Sequence, residues 1–393
     1  FYLSNDQLIS IARRMQRELR AGLAADGGEI ACIPTYVPIT EIPRQGRALV
    51  LDLGGTNLRC AQVGLENGRL ALEKGPVKEK LTDKPDREMA ARAFYCRLAG
   101  IIAALAPESG LPLGYCFSYP ARSSPDGDAV LLHWTKELFV SDMVGGKVGD
   151  GLCRYLAANK ASWQCSRVRV INDTVAALLA GMAGAFSDAC IGLIVGTGTN
   201  IAIAVSPDRI PKIDQAGSGG QVLPVNLESG NFHPPGLTRW DARLDAQSRN
   251  PGGQRFEKAV SGQYLAELLK FRMPETDIDA ARGAAAVFEK AYGEAADSER
   301  ERELARRLIE RSARLTAAAL AGVIAFLAES QALQTVSITA EGGVFWGHPA
   351  YRQAAERGLR ATLDGMGHKS PGFEFLAVSH ANLLGSAIAA LSG

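Results

Sequence analysis

Charge of one sign is what this sequence most clearly lacks: 43 Lys and Arg stand against 42 Asp and Glu, a formal net charge of +1 over 393 residues. That balance leaves no global field to hold nucleic acid or an anionic membrane surface. Histidine is scarce, and His133, His233, His348, His368 and His380 show neither ligand nor triad spacing. The seven cysteines, Cys32, Cys60, Cys96, Cys116, Cys153, Cys165 and Cys190, form no C-x-x-C pair and no zinc-spaced Cys/His cluster. An odd number of scattered cysteines reads as reduced thiols in a cytoplasmic protein. Long apolar runs are missing too. The longest, from Leu315 to Ala328, falls short of the roughly 20 residues a membrane span needs. No signal-peptide pattern opens the chain. Arg13, Arg14, Arg17 and Arg20 lie among Leu8, Ile9, Ile11, Met15 and Leu19 at helical spacing, so a surface helix of the fold is expected there.

What is present is a globular composition, 47% hydrophobic, in a chain long enough for two domains. A first helix is expected from about Asn5 to Leu23. After Pro34, Pro38 and Pro43 comes the apolar run Ala48–Leu51, closing in Asp52-Leu53-Gly54-Gly55-Thr56-Asn57. Leu58 to Val63 should pair back on it as a hairpin. Further strands are expected at Leu113–Tyr119, Arg167–Ile171, Ile191–Val195 and Ile201–Val205. Helices are expected near Arg87–Leu105, Thr174–Ala185, Phe256–Leu269, Ala280–Tyr292 and, as one helix or two, Ser298–Ala328. The pattern of strand, glycine turn, Thr-Asn and strand occurs twice, at Asp52–Asn57 and at Gly196–Asn200. Glycine lets backbone N–H groups approach phosphate oxygens closely. Two such hairpins suggest a duplicated unit facing itself across a cleft.

Several polar residues carry two readings each. Asp52, at a strand end before two glycines, suits either Mg²⁺ held through water or a cap on the turn. Asp173 opens a helix at the carboxyl end of a strand, where α/β sheets bind ligands, and could accept a proton; a plain helix cap by Asp173 or Thr174 is the commoner reading. Lys136, after Trp134 and Thr135, could bind hydroxyls or stabilise transferring charge, or be a surface lysine. Asn226, Glu228, Gln254 and Glu257 lie in glycine-rich surroundings. Paired Asn and Glu groups suit a polyol, whose hydroxyls both donate and accept.

The ordered set resembles the hexokinase family. Ile33-Pro34-Thr35-Tyr36-Val37 looks like the family's Pro-Thr-Tyr/Phe-Val segment, and Leu51 to Arg59 like its first phosphate motif. Phe117-Ser118-Tyr119-Pro120 and Trp134-Thr135-Lys136 look like its sugar motif. Asn172-Asp173-Thr174 resembles the segment carrying the catalytic Asp, and Gly192 to Asn200 the second phosphate motif. Asn226-Leu227-Glu228 and Gly253 to Lys258 match further sugar segments. Ala340-Glu341-Gly342-Gly343-Val344, with His348-Pro349, looks like the adenosine motif.

The resemblance implies an α/β, two-domain actin-like ATPase (ribonuclease H-like) fold with a sugar and nucleotide cleft between the domains. The small domain would be residues 47–171 plus 382–393, and the large one 1–46 plus 172–381. It implies ATP- and Mg²⁺-dependent phosphorylation of a hexose, glucose foremost, at the 6-hydroxyl. Asp173 would be the general base, with Lys136 beside it. Ser118, Thr135, Lys136, Asn172, Asp173, Asn200, Asn226, Glu228, Gln254 and Glu257 would line the sugar pocket. Asp52, Gly54, Gly55, Thr56, Asn57, Arg59, Thr197, Gly198, Glu341, Gly342 and Gly343 would serve the nucleotide, with Mg²⁺ at Asp52, through water, and at Asp173. The alternative is a catalytically inactive sugar sensor on the same fold, which would have no need of Asp173. Departures from the family pattern gather on the nucleotide side: Glu341 for Asp, Gly343 for Ser or Thr, and Ala381-Asn382-Leu383-Leu384-Gly385-Ser386-Ala387 for a glycine-rich turn with a basic residue. Ser229 stands where an aromatic is usual.

Overall fold

Ser4 starts the first helix, because its side chain accepts from the Gln7 N–H and Gln7 reaches back to close a capping box. The computed structural model describes residues 2–55, 57–67, 69–81, 88–135, 138–161, 163–164, 166–184, 187–213, 221–367 and 371–392. In chain order the elements are α1 (Asn5–Ala24), β1 (Ile33–Pro34), β2 (Gly46–Gly54), β3 (Asn57–Glu66), β4 (Arg69–Lys80), α2 (Ala91–Leu105), β5 (Leu113–Phe117), β6 (Ala121–Ser123), β7 (Ala129–Leu131), α3 (Val148–Ala158), β8 (Val168–Ile171) and α4 (Asp173–Gly184). The second half runs β9 (Ala189–Val195), β10 (Thr199–Val205), β11 (Leu223–Asn226), α5 (Arg239–Gln247), α6 (Arg255–Val260), α7 (Gly262–Arg272), α8 (Ala284–Tyr292), α9 (Glu299–Leu327), β12 (Thr335–Glu341), α10 (Pro349–Gly365), β13 (Gly372–Leu376) and α11 (Ala381–Leu391).

Two sheets repeat one plan. The smaller has the order β4-β3-β2-β5-β8, and the larger has β11-β10-β9-β12-β13 with the short β1 added at its edge. In each, an antiparallel meander of three strands is followed by two strands parallel to the first. The chain therefore has the mixed α/β, two-sheet actin-like fold. The helix after the last strand of each sheet crosses over: α4 leaves β8 and packs on β9, β10 and β12, whereas α11 leaves β13 and packs on β2 and β5. The two helices also pack on each other. In α1, Leu8, Ile11, Met15 and Leu19 are buried at helical spacing, with α9 as the helix they pack on.

Three expectations are corrected. The helix expected over Phe256–Leu269 is two, because Ser261 is extended and the Gly262 N–H donates to the Gly196 carbonyl at 2.7 Å. The helix expected from Ala280 starts properly at Ala284, after Gly283 at φ +53°. Cys153 is disulfide-bonded, so the thiols are not all reduced; spacing alone does not say which cysteines a fold brings within bonding reach. Cys32, Cys60, Cys96, Cys116 and Cys190 are free. Among the described residues no helix is long and apolar enough to cross a membrane.

Candidate active site

One row of side chains crosses the small sheet. Register sets Arg59 on β3 opposite Asp52 on β2, Asp52 beside Cys116 on β5, and Cys116 beside Ile171 on β8. Residues paired in this way share a face of the sheet. Asp52 is 1% exposed. Arg59 Nε donates to its Oδ2 at 2.7 Å, and Arg59 Nη2 donates to the same oxygen. From the start of α11, Asn382 Nδ2 reaches Asp52 Oδ1 at 3.5 Å. Burial pushes the Asp52 carboxyl up, Arg59 pulls it down, and Asp173 adds to the upward push.

Asp173, two residues past Ile171, is the first residue of α4. The helix cap is Asn172: its Oδ1 accepts the Thr174 N–H at 2.9 Å and its carbonyl accepts from Ala176. Asp173 Oδ1 shares the Thr174 N–H at 2.8 Å. Neither Asp173 nor Thr174 is thus the cap that a bland reading of the sequence expects. Glycine at 192 seats this turn on β9, since a Cβ there would stand 2.3 Å from the Thr174 carbonyl.

Glu341, at the end of β12, joins the same field. Burial pushes its carboxyl up first, Arg59 pulls it down, and Asp173 and Asp52 push it up further. Asp52 and Glu341, one from each sheet, therefore share one guanidinium, and Asp173 at the start of α4 pushes both of their carboxyls up, a surplus of negative charge that fits an added cation. They are near enough to feel one another but not to share an ion directly. Among the described residues no group of three or more His, Cys, Asp or Glu is placed to ligate a metal. Such a set suits Mg²⁺ that keeps most of its water.

A consequence for stability follows. The folded state holds the Glu341 proton more tightly than the unfolded chain does, so stability falls as pH rises from the ordinary Glu value of about 4.3 through the raised folded value. Glu341→Gln is therefore expected to raise Tm at pH 7, with the gain shrinking below about pH 4.3. A Tm difference that does not vary with pH would refute this origin.

The large sheet supplies the polar chain. Asn200 Nδ2 donates to Asn226 Oδ1 at 2.7 Å, and Asn226 Nδ2 donates to Glu228 Oε1 at 2.7 Å. Asn200 Oδ1 accepts the N–H groups of Ile201 at 2.8 Å and Ser229 at 3.1 Å. Glu228 and Gln254 hold φ of +54° and +51°, a left-handed conformation that costs energy in residues other than glycine and gathers at functional sites. Glu257 Oε2 accepts the Thr199 N–H at 2.9 Å, and a Cβ on Gly198 would lie 2.5 Å from that oxygen. A crevice between the sheets is lined by Thr35, Phe117, Tyr119, Asn172 and Asn226.

The glycine turns lie at the ends of β2 and β9. Gly54 and Gly55 close the first, with Asn57 exposed after them. Tyr119 donates its hydroxyl to the Gly55 carbonyl, tying the Ser118 segment to that turn. In the second, the Gly196 N–H donates to the Gly198 carbonyl at 2.9 Å and Thr197 is exposed. The Glu341-Gly342-Gly343 segment lies directly on it: Val344 and Phe345 N–H both donate to the Val195 carbonyl at 3.1 Å. Gly342 has φ +112°, and a Cβ there would meet that carbonyl at 2.3 Å. Gln254 stands further off, its N–H donating to Asn231 Oδ1 at 3.3 Å. Thr135 follows Trp134, whose Nε1 donates to the Val140 carbonyl at 2.6 Å and whose ring packs on Phe94, Phe117 and Tyr119. Among the described residues no hydrogen bond joins Thr135 to the Asn200–Asn226–Glu228 chain. Lys136 and Thr56 lie outside the described residues. Cys116 and Asn382 carry no role in the sequence reading, because they reach the site through strand register and helix packing.

Two family models, both described as Hexokinase, match the chain, one over residues 1–183 and the other over 190–275 and 271–392. Hexokinase-3 of Homo sapiens is 32% identical over 278 residues, covering 69% of this chain and 30% of that protein. The chain thus spans well under two thirds of this relative's length. Hexokinase-1 of Saccharomyces cerevisiae is 28% identical over 418 residues, covering 92% of this chain and 83% of that protein. Among solved structures, the hexokinase from Schistosoma mansoni complexed with glucose superposes with a TM-score of 0.80 at 24% identity, covering 99% of this chain and 96% of that one. That last likeness is one of fold.

Proposed function

The chain belongs to the hexokinase family, and on that footing we propose that it transfers the γ-phosphoryl group of ATP to the 6-hydroxyl of a hexose, glucose foremost, with Asp173 as general base. One observation carries the reading. The carboxyls of Asp52 and Glu341 are both pushed up by Asp173 on one side, while Asn172 next to it lines the same crevice as Asn226 on the other. Asp173 thus stands between the crevice of Asn172 and Asn226 and the carboxyls of Asp52 and Glu341, which supports reading it as a proton acceptor between sugar and phosphate.

In this reading Asn200, Asn226, Glu228 and Glu257 hold the ring hydroxyls, with Ser118, Thr135, Lys136, Asn172 and Gln254 completing the pocket. Asp173 takes the 6-hydroxyl proton as the O6–P bond forms and the bond to the ADP oxygen breaks. The backbone of the turns at Gly54–Gly55 and Thr197–Gly198, with Thr56 and Asn57, orients the phosphates; Arg59 is set to face their charge. Glu341, Gly342 and Gly343 lie on the nucleoside side. Mg²⁺, when bound, neutralises charge on the transferring phosphates; Asp52 would hold it through water. The division into residues 47–171 plus 382–393 and 1–46 plus 172–381 is part of the proposal. The membership of the two sheets and the seat of α11 on β2 and β5 support it. A cytoplasmic setting, where ATP is at hand, completes it.

The deciding experiment is a coupled assay with Mg-ATP and a panel of hexoses, with the product's phosphate position read by ³¹P NMR. Sugar-dependent ADP release and a 6-phosphate are expected; ADP release that ignores the sugar would overturn the reading. Glu257→Gln is expected to weaken sugar binding about tenfold while changing Mg-ATP binding little. The amide oxygen can still accept the Thr199 N–H, but a second acceptor becomes a donor. Calorimetry showing equal losses for sugar and nucleotide would remove Glu257 from the sugar pocket.

A further inference from the structure

A charged pair that the proposed reaction does not use lies behind the sugar segments. Lys258, on α6, is 3% exposed, and Asp245, in the last turn of α5, is 8% exposed. Lys258 Nζ donates to Asp245 Oδ1 at 2.7 Å and also to the Asn250 carbonyl. The Gly252 N–H donates to both Asp245 oxygens, at 3.1 and 3.0 Å. Arg255 Nη1 stands 3.6 Å from Oδ2. Burial pushes the Asp245 carboxyl up, but Lys258, the Gly252 N–H and Arg255 outweigh it and hold the group below its usual range. The pair thus grips the loop between the two helices at Asn250 and at Gly252. Past that grip the chain turns through Gln254 at φ +51°, whose carbonyl accepts the Lys258 N–H at 2.9 Å. Successive residues of a helix point about 100° apart. Lys258 is therefore turned into the interior, while Glu257 before it reaches the second glycine turn, its Oε2 accepting the Thr199 N–H at 2.9 Å.

We propose that Asp245 and Lys258 are positioning residues, which preset the loop from Asn250 to Gln254 and the first turn of α6 so that Gln254 and Glu257 meet a hexose without rearrangement. This rests on the reading above, in which Gln254 and Glu257 belong to the sugar pocket. A buried ion pair is a poor source of stability, because the desolvation of two charges offsets most of their attraction. An apolar pair of similar size would hold α5 and α6 together as well. It would not hold the loop, because Asn250 and Gly252 bond to a donor and an acceptor that apolar side chains lack. A loop that the ligand itself must order weakens binding. Helix packing and loop positioning therefore part company in the double variant Asp245→Leu/Lys258→Met.

The test compares the full wild-type chain with that double variant and with Asp245→Asn. Glucose and Mg-ADP affinities are read by calorimetry, kcat and the glucose KM by the coupled assay, and folding by Tm. The double variant is expected to melt close to wild type. Its glucose affinity should fall about tenfold, with a raised glucose KM and little change in kcat or Mg-ADP affinity. Asp245→Asn keeps an acceptor for the Gly252 N–H and should recover most of the glucose affinity. Wild-type glucose affinity in the folded double variant would overturn the proposal. So would equal losses for glucose and Mg-ADP, or a loss in Asp245→Asn as large as in the double variant. A further measurement needs no variant to fold. Hydrogen exchange on the sugar-free wild-type chain should find the Gly252 amide already protected, and protection that appears only with glucose would overturn the proposal too. A wild-type chain that binds no hexose would defeat the parent reading, whereas glucose binding by the wild type beside an unimpaired double variant defeats this proposal alone.

Discussion

Asp173→Ala is expected to lower kcat by roughly 10²–10⁴, the usual worth of a positioned general base. The affinity for the sugar should change far less. The groups proposed to hold the ring form a hydrogen-bonded chain of their own, Asn200 to Asn226 to Glu228, and none of those bonds includes Asp173. The helix should not suffer either, because Asn172 supplies the cap. Removing the carboxylate also relieves repulsion, since Asp173 pushes up the carboxyls of Asp52 and Glu341. Tm is therefore expected to hold or rise, which separates loss of chemistry from loss of fold. Mg-ADP affinity tests a second point. A large fall in the variant would mean that Asp173 contributes mainly to holding the cation. Near-wild-type kcat would remove it from the mechanism.

Asp173 stands out in the sequence and Cys116 does not, for a physical reason. Asp52, Asp173 and the glycine turns sit at strand ends, where sequence shows a sharp change from apolar run to polar turn. Cys116 lies inside the buried strand β5 and reads there as one more small residue. Its meaning comes from which strand is its neighbour, and pairing between β2 and β5 joins residues some sixty positions apart. In the sequence Asn382 is only part of a departure from a pattern; its place beside Asp52 depends on how α11 packs. The hairpins β2–β3 and β9–β10 were readable because each is local and carries its own turn. β4, whose burial is mostly half or none, has too weak an alternation to stand out. The breaks at Ser261 and Gly283 are long-range effects as well. The first bends where it meets the second glycine turn, with the Gly262 N–H bonded to Gly196, and the second where it packs on that bend, since a Cβ at Gly283 would lie 2.6 Å from the Gly262 carbonyl. Local helix propensity gives no hint of either contact.

The same crossing of helices makes Gly385→Ala the substitution expected to harm the fold most for its size. On propensity alone it should help, since alanine is favoured over glycine inside a helix by about 1 kcal/mol. Packing reverses the sign. An added Cβ would stand 1.9 Å from the Ala176 carbonyl oxygen and 2.5 Å from its carbon. Both are backbone atoms of α4, so no side chain can rotate away. Nor can α11 simply back off, because its other side lies on β5, where a Cβ at Gly114 would meet the Ser386 carbonyl at 2.1 Å. Overpacking of this kind costs about 1–3 kcal/mol or more, which outweighs the gain in propensity. Tm is expected to fall by several degrees. Any shift of α11 away from α4 also carries Asn382 from Asp52, so Mg-ADP affinity should fall in the variant that remains folded. Gly343→Ala is the control: no atom lies within 4 Å of its Cβ position, and its Tm should match wild type. If Gly385→Ala melts at or above the wild-type temperature, the close contact between α4 and α11 is not what fixes the relation of the two sheets.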